Sequence, residues 1–130
     1  MSNALLSLIG RVLLAAVFIP AGLQKFRAIE GTAGYITSVG LPAGTALAWA
    51  AAIFEVLAGI AILVGFQTKY AALALAAFCV FTGFFFHGGA DQMQQIMLFK
   101  NIGLAGGFLA LAAAGAGAWS VDAKRGLAAA

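Results

Sequence analysis

The sequence predicts an all-α protein, a four-helix transmembrane bundle with short loops. Of its 130 residues, 64% are hydrophobic and 8% are charged, whereas soluble domains carry about 25% charged residues. The mean hydropathy is +1.06. Four apolar runs are each long enough to cross a bilayer, which takes roughly 20 residues. Together they use nearly the whole length, so we expect one domain over residues 1–130.

The first two predicted spans are separated by the longest polar link in the chain. The first span covers about residues 5–26 and the second about residues 43–64. The link between them ends in Leu41-Pro42, and proline is typical of such a boundary. Tyr35 in this link favours the depth of the lipid headgroups, so we expect a short interfacial helix around it.

The last two spans are predicted at about residues 70–86 and 93–118. A short reversal that contains Gly65 precedes the third span, and the pair Gly88-Gly89 follows it. Glycine pairs are typical of turns. Trp119 marks the second membrane interface, so the fourth span is expected to reach as far as Ala118.

The distribution of basic residues predicts the orientation of the bundle. An even number of spans places both termini on one side, which carries Lys69, Lys124 and Arg125. The opposite side carries Lys25 and Arg27. Because loops rich in Lys and Arg stay in the cytoplasm, we expect both termini to be cytoplasmic.

Several functional classes are disfavoured. The chain has neither a Lys/Arg-rich run nor a platform of several aromatic residues in a polar loop, so no nucleic-acid partner is expected beside the lipid bilayer. Cys79 is the single cysteine, which excludes an intramolecular disulfide and a dithiol redox pair. His87 is the single histidine, too few for an ordinary zinc set. We therefore expect no metal, and the catalytic residues, if any, remain unknown.

The residue that stands out is Glu55, near the middle of the second span. An ionisable group at that depth costs at least about 2.5 kcal/mol, so it usually faces a partner or a polar cavity. Arg11 and Lys100 each lie roughly 6 Å from the midpoint of their own spans, on opposite sides of the depth of Glu55. We therefore predict a buried charge network of Arg11, Glu55 and Lys100. It fits a structural salt bridge as well as a functional site.

A second polar group is predicted at the end of the bundle opposite the termini. Lys25, His87, Lys100 and Asn101 each lie in the half of a span nearest that side. Because lysine, histidine and asparagine all donate hydrogen bonds, they would suit an anionic or carbonyl-bearing ligand. The alternative is that these side chains contact lipid headgroups.

One further feature concerns association. Gly103 and Gly107 have the Gly-x-x-x-Gly spacing, which allows two helices to approach closely in lipid. The spacing fits packing within the chain and also a homo-oligomer interface.

The order and spacing of certain residues resemble a known family. They are Arg11, Phe18, Ala21-Gly22-x-x-Lys25, Gly34-Tyr35, Gly40-Leu41-Pro42, Glu55, Gly59, Gly65-Phe66-x-Thr68, Phe86-His87, Lys100-Asn101, Gly106-Gly107 and Ser120-Val121-Asp122. The pattern is similar to that of the DoxX family of small bacterial inner-membrane proteins, including its YqjF-like members. It covers nearly the whole chain.

The resemblance implies a four-helix bundle that lies in the bacterial inner membrane and has a link to oxidoreductases. The family takes its name from a subunit of a thiosulfate:quinone oxidoreductase, and other members resemble partners in a complex that handles thiols and superoxide. It thus implies a quinone as candidate ligand and other membrane or redox proteins as partners. A non-catalytic binding or assembly module for a larger complex or a small lipophile is the alternative. A transporter is disfavoured, since no inverted repeat with broken helices is visible.

Overall fold

The computed structural model describes residues 1–126, and they form helices and connecting turns. The helices are α1 (Asn3–Arg27), α2 (Ile29–Ser38), α3 (Gly44–Val64), α4 (Thr68–Phe86), α5 (Gln92–Ala114) and α6 (Val121–Lys124). The helices α1, α3, α4 and α5 are long and apolar enough to cross a membrane. The predicted all-α class with four membrane-spanning helices is therefore confirmed.

The predicted spans agree with the helices except at one end. The fourth span was expected to continue to Ala118, but α5 ends at Ala114. Gly115 and Gly117 have φ angles of 82° and 84°, which belong to the left-handed region and stop a right-handed helix. The short helix expected around Tyr35 is confirmed as α2.

The four spanning helices pack as two close pairs, α1 with α3 and α4 with α5, and α2 lies on α3. Glycine makes the first contact possible, because a Cβ on Gly22 would lie 2.6 Å from Val56 Cγ2. In the second pair, a Cβ on Gly83 would lie 3.2 Å from Asn101 Cβ. Helices in lipid associate through such small residues.

Aromatic side chains join the two pairs at the middle of the bundle. Phe18 of α1 meets Phe108 of α5 edge-on, with ring centroids 5.5 Å apart. Phe54 of α3 meets Phe78 of α4 at 5.2 Å, and Phe18 also contacts Phe78. Edge-to-face and tilted ring contacts add to the burial of apolar area, so this layer is the core between the pairs.

The Gly-x-x-x-Gly spacing on α5 does not form a close helix crossing within the described chain. A Cβ on Gly107 would meet Leu14 Cδ2 at 3.8 Å, an ordinary contact. A Cβ on Gly103 would have no atom within 4 Å. The backbone of α5 at Gly103 is therefore exposed on the outer surface of the bundle.

Candidate ligand-binding cavity

The contact between α1 and α3 determines where Lys25 lies. Gly22 packs on Ala52 and Val56 of α3, and Lys25 follows Gly22 by three residues, on the same face of α1. Glu55 lies between those two contact residues in sequence. The tight crossing therefore holds Lys25 beside Glu55.

Lys25 and Glu55 form an ion pair inside the bundle. Lys25 Nζ lies 2.8 Å from Glu55 Oε2. The Glu55 side chain is only 4% exposed, whereas that of Lys25 is 29% exposed. Oε2 accepts no hydrogen bond of regular geometry from the described residues, so the short contact is an ion pair without a well-directed hydrogen bond.

The predicted pairing of Glu55 with Arg11 or Lys100 is wrong. Depth along the bundle placed both cations near the carboxylate, but depth does not give the direction in which a side chain leaves its helix. The sequence pattern places Lys25 in the polar group at the helix ends and does not link it to Glu55. The spacing Gly22-x-x-Lys25 was the signal that could have identified it, since the close-packing face of α1 also carries the lysine.

Arg11 has a separate set of partners at the termini side. Arg11 as a whole is 1% exposed, and its guanidinium donates to the backbone oxygens of Leu63, at 2.7 Å, and of Ile62, at 3.4 Å. It also donates to the Trp119 oxygen. Carbonyls at the end of a helix have no partners within it and carry partial negative charge. Arg11 therefore binds the end of α3 and attaches the segment after α5 to it.

Lys100 lies on the outside of α5. It is exposed and borders a shallow depression together with Gln92, Gln95 and Phe99. One residue corresponds to about 100° around a helix, so Lys100 leaves α5 in a different direction from Asn101. The predicted placement of Lys100 among the pocket residues is therefore wrong.

A cavity of about 870 Å³ lies between the two helix pairs beneath α2. It brings together three of the four predicted pocket residues, Lys25, His87 and Asn101, and adds Glu55. Its other walls are mainly apolar and aromatic, and they include Phe18, Ile36, Leu41, Leu47, Phe54, Phe78, Phe81, Phe86, Met97 and Leu104. Small-molecule sites are typically 300–1,000 Å³ and have this composition, with a few polar groups.

The amide of Asn101 is held by α4. Its Nδ2 donates to the Cys79 backbone oxygen at 3.3 Å and to Thr82 Oγ1 at 3.2 Å. Thr82 in turn donates to the Phe78 oxygen at 2.8 Å. Both amide hydrogens are used in this way, so Oδ1 remains as an acceptor for a ligand.

The imidazole of His87 is oriented by Gln94, with 2.9 Å between Nδ1 and Oε1. Because an amide oxygen only accepts, Nδ1 carries a proton. In the neutral ring Nε2 is then an acceptor. The cavity thus has acceptors at His87, Asn101 and Glu55 and a donor at Lys25.

We call the part of the cavity around Lys25, Glu55, His87 and Asn101 its polar end, and α2 covers it. Tyr35 stacks on Phe86 with ring centroids 5.2 Å apart, and its hydroxyl donates to the Phe86 backbone oxygen at 2.9 Å. Sequence reasoning gave Tyr35 only an interfacial role. No spacing rule linked it to the end of α4, since the contact joins residues 51 positions apart.

Within residues 1–126, no three His, Cys, Asp or Glu side chains are grouped as metal ligands would be.

Comparisons with known proteins find one family model and two similar bacterial proteins. The family model described as DoxX matches residues 6–88. The chain belongs to the DoxX family. It is 40% identical over 116 residues to the inner membrane protein YqjF of Escherichia coli, with 88% of each chain covered. It is 34% identical over 127 residues to the inner membrane protein YphA of the same organism, with 93% of this chain and 91% of that protein covered. No solved structure matches the chain significantly.

Membership of the DoxX family confirms the resemblance found in the sequence. The match covers α1 to α4, which contribute Lys25, Glu55 and His87 to the cavity. Asn101 on α5 lies beyond the matched residues. The names of these two relatives state that they are inner membrane proteins and state no activity.

Proposed function

We propose that this DoxX family protein binds a quinone or a similar neutral lipophile within the bacterial inner membrane. In this proposal it acts as a quinone- or partner-interacting subunit of a membrane oxidoreductase or of a thiol and oxidative-stress complex. The observation that carries the proposal is the cavity of about 870 Å³, apolar over most of its wall and polar around the Lys25–Glu55 ion pair.

The charge of the site favours a neutral ligand. Lys25 and Glu55 neutralise each other, and His87 and Asn101 offer acceptor atoms. An anion would have to enter an apolar cavity in which the cation already has a partner, at a large desolvation cost. A quinone carbonyl can instead accept a hydrogen bond from Lys25, and the hydroxyls of a quinol can donate to Glu55 or Asn101.

Any electron transfer would require a partner. Reducing a quinone to a quinol takes two electrons and two protons, and the lone Cys79 cannot form the intramolecular dithiol that would supply them. The chain's own groups would position the ring, and Glu55 would carry a proton. The protein is thus at most a partner-dependent oxidoreductase subunit.

A non-catalytic binding or assembly module is the second candidate. The observation in its favour is that His87 and Asn101 are both held by internal hydrogen bonds, which gives a fixed polar wall rather than groups free to exchange protons. In that case the protein would bind a lipophile in the same cavity without taking part in any reaction of it.

Ligand binding can be tested on protein purified in mild detergent. Solvent extraction and mass spectrometry would identify any retained lipophile, and calorimetric titration with a decyl-tailed benzoquinone would measure its affinity. We expect Lys25→Met to weaken binding about tenfold, because a hydrogen bond to a charged group is lost. Lys100→Met, outside the cavity, should leave the affinity unchanged.

The result that would overturn quinone binding is a wild-type protein that retains no quinone and shows no heat of binding. Co-purifying proteins, identified from the same preparation, distinguish the two candidates. A redox partner supports the oxidoreductase subunit, and a quinone bound without such a partner supports the binding module.

A further inference from the structure

One side of the cavity reaches the lipid-facing surface of the spanning helices. Leu47 of α3 is 40% exposed and Phe81 of α4 is 48% exposed, yet both line the cavity. Ala50 also lines it and is exposed. We call the gap between these residues the α3/α4 cleft.

The geometry of the helix pairs accounts for this cleft. The helices α3 and α4 belong to different close pairs and are connected only at the termini side, by the short reversal after Val64. Phe54 and Phe78 meet halfway along them. Beyond that contact, toward the polar end, Gly22 lets α1 approach α3 closely, and Gly83 lets α4 approach α5 closely. Both of these close contacts lie within a pair. The cavity occupies the space between the pairs.

The other routes into the cavity are less favourable for an apolar molecule. From the water side, α2 covers the polar end, and Tyr35 is bonded to the end of α4. Val17 of α1 also lines the cavity and is 44% exposed. Farther toward the polar end, however, the wall between α1 and α5 carries Gln24, Lys25 and Asn101. An apolar tail lying against these groups would desolvate them, which costs free energy.

We propose that the ligand enters sideways from the lipid through the α3/α4 cleft and is therefore a ring-bearing lipophile with an extended apolar tail. The ring reaches Lys25 and Glu55, and the tail stays between Leu47, Ala50 and Phe81. This inference rests on the proposed function, because it specifies how the same cavity is filled and which class of quinone fills it.

The cleft can be tested with two benzoquinones that share a ring, one with a decyl tail and one without. Uptake by the protein would be measured as quenching of its tryptophan fluorescence after rapid mixing with proteoliposomes, because filtration would also count quinone dissolved in the lipid. Ala50→Phe narrows the cleft. Ala74→Phe adds the same side chain to an exposed position of α4 that does not line the cavity. We expect Ala50→Phe to slow uptake of the tailed quinone about tenfold, because entry then needs a conformational change, and to leave the tailless quinone unaffected.

Photolabelling gives an independent readout. A diazirine on the tail should mark peptides from α3 and α4 in the wild type. Labelling of α1 and α5 instead, or an Ala50→Phe variant that slows both quinones equally or neither, would overturn lateral entry through this cleft. If the wild type took up neither quinone, the proposed function itself would fail.

Discussion

At the scale of single residues, burial is unequal within the Lys25–Glu55 pair. Glu55 is enclosed, while Lys25 has a partly exposed side chain on a flexible stem. Removing the lysine therefore leaves a carboxylate without a partner in an apolar bundle. Removing the carboxylate leaves an ammonium that can turn toward the membrane interface.

We expect Lys25→Met to destabilise the protein by about 3–5 kcal/mol, the cost of leaving a buried charge unpaired. Glu55→Gln should cost less, because the amide keeps the shape and Lys25 can reach water. The double variant should recover most of the loss. Thermal midpoints in detergent would measure the stability of the three variants. A double variant no more stable than Lys25→Met would show that the two side chains are not coupled.

Lys100→Met should leave the thermal midpoint unchanged or raise it slightly, since Lys100 is exposed on the outer face of α5. A marked loss of stability would reveal a partner of Lys100, such as a second protein chain, that detergent-purified protein retains.

The candidate site was only partly predictable from these residues. The sequence identified Glu55 as unusual and gave the depth of each charged group along its helix. It did not give the rotation of each helix about its own axis, which depends on the glycine contacts at Gly22 and Gly83. For that reason Lys25 and Asn101 face the cavity, while Lys100 faces outward.

At the scale of helices, glycine positions determine which pairs pack closely. We expect Gly22→Ala to cost about 1–3 kcal/mol, the usual penalty for overpacking. The reason is that its Cβ would lie 2.6 Å from Val56 Cγ2 and 2.9 Å from the Ala52 oxygen. Gly10→Ala is the matched control, because a Cβ there has no atom within 4 Å. It should be neutral or stabilise α1 by up to about 1 kcal/mol. Equal thermal midpoints for the two variants would contradict the close crossing.

Asp122 of α6 caps the start of α4. Its Oδ1 accepts from Gln67 N at 2.8 Å and its Oδ2 from Thr68 N at 2.9 Å, while its own N–H donates to the Gly65 oxygen at 2.8 Å. Burial alone would raise the pKa of Asp122. The hydrogen bonds from the Thr68 and Gln67 backbone outweigh burial and, helped by nearby Arg125, lower that pKa below its ordinary value.

This cap predicts how stability depends on pH. A lowered pKa means that the carboxylate stabilises the folded state fully above the unfolded pKa, about 3.9. The contribution is lost as the pH falls through the folded pKa. Asp122→Ala should therefore cost about 0.5–2 kcal/mol near neutral pH. The difference from wild type should shrink in acid, as measured by thermal midpoints from neutral pH downward. A difference that stays constant with pH would argue against the ionised cap.

The helix ends illustrate what local sequence can predict. Hydrophobic length predicted three spans to within two residues at each end, because the bilayer sets the length of a spanning helix. It failed at the end of α5, where Gly115 and Gly117 break an apolar run that remains hydrophobic. There the backbone conformation of glycine, not hydropathy, decides where the helix stops.

At the scale of the whole molecule, both ends of the described chain lie together. Ser7 Oγ donates to the Ala116 oxygen at 2.8 Å, so the start of α1 and the segment after α5 share one side of the bundle. The bias of three Lys/Arg against two predicts that this side faces the cytoplasm.

A periplasm-dependent reporter enzyme tests the orientation. Fused to the C-terminus it should be inactive, and inserted between Gly88 and Gly89, at the opposite end of the bundle, it should be active. The reverse pattern would invert the orientation but leave the bundle intact. Activity at both positions would contradict the crossing of the membrane by α5.

The partners of Arg11 also bear on the order in which the bundle is made. Arg11 enters the membrane with the first span, but its contact with Trp119 joins residues 108 positions apart. During synthesis the guanidinium gains its first two acceptors only when α3 is inserted, and its third only when the segment after α5 follows. Until the ribosome has released that segment, the first helix carries a buried cation that is only partly satisfied. The bundle can therefore reach its final form only after the segment that follows α5 has been inserted, and a chain truncated before Trp119 would leave the Arg11 guanidinium without one of its three backbone acceptors.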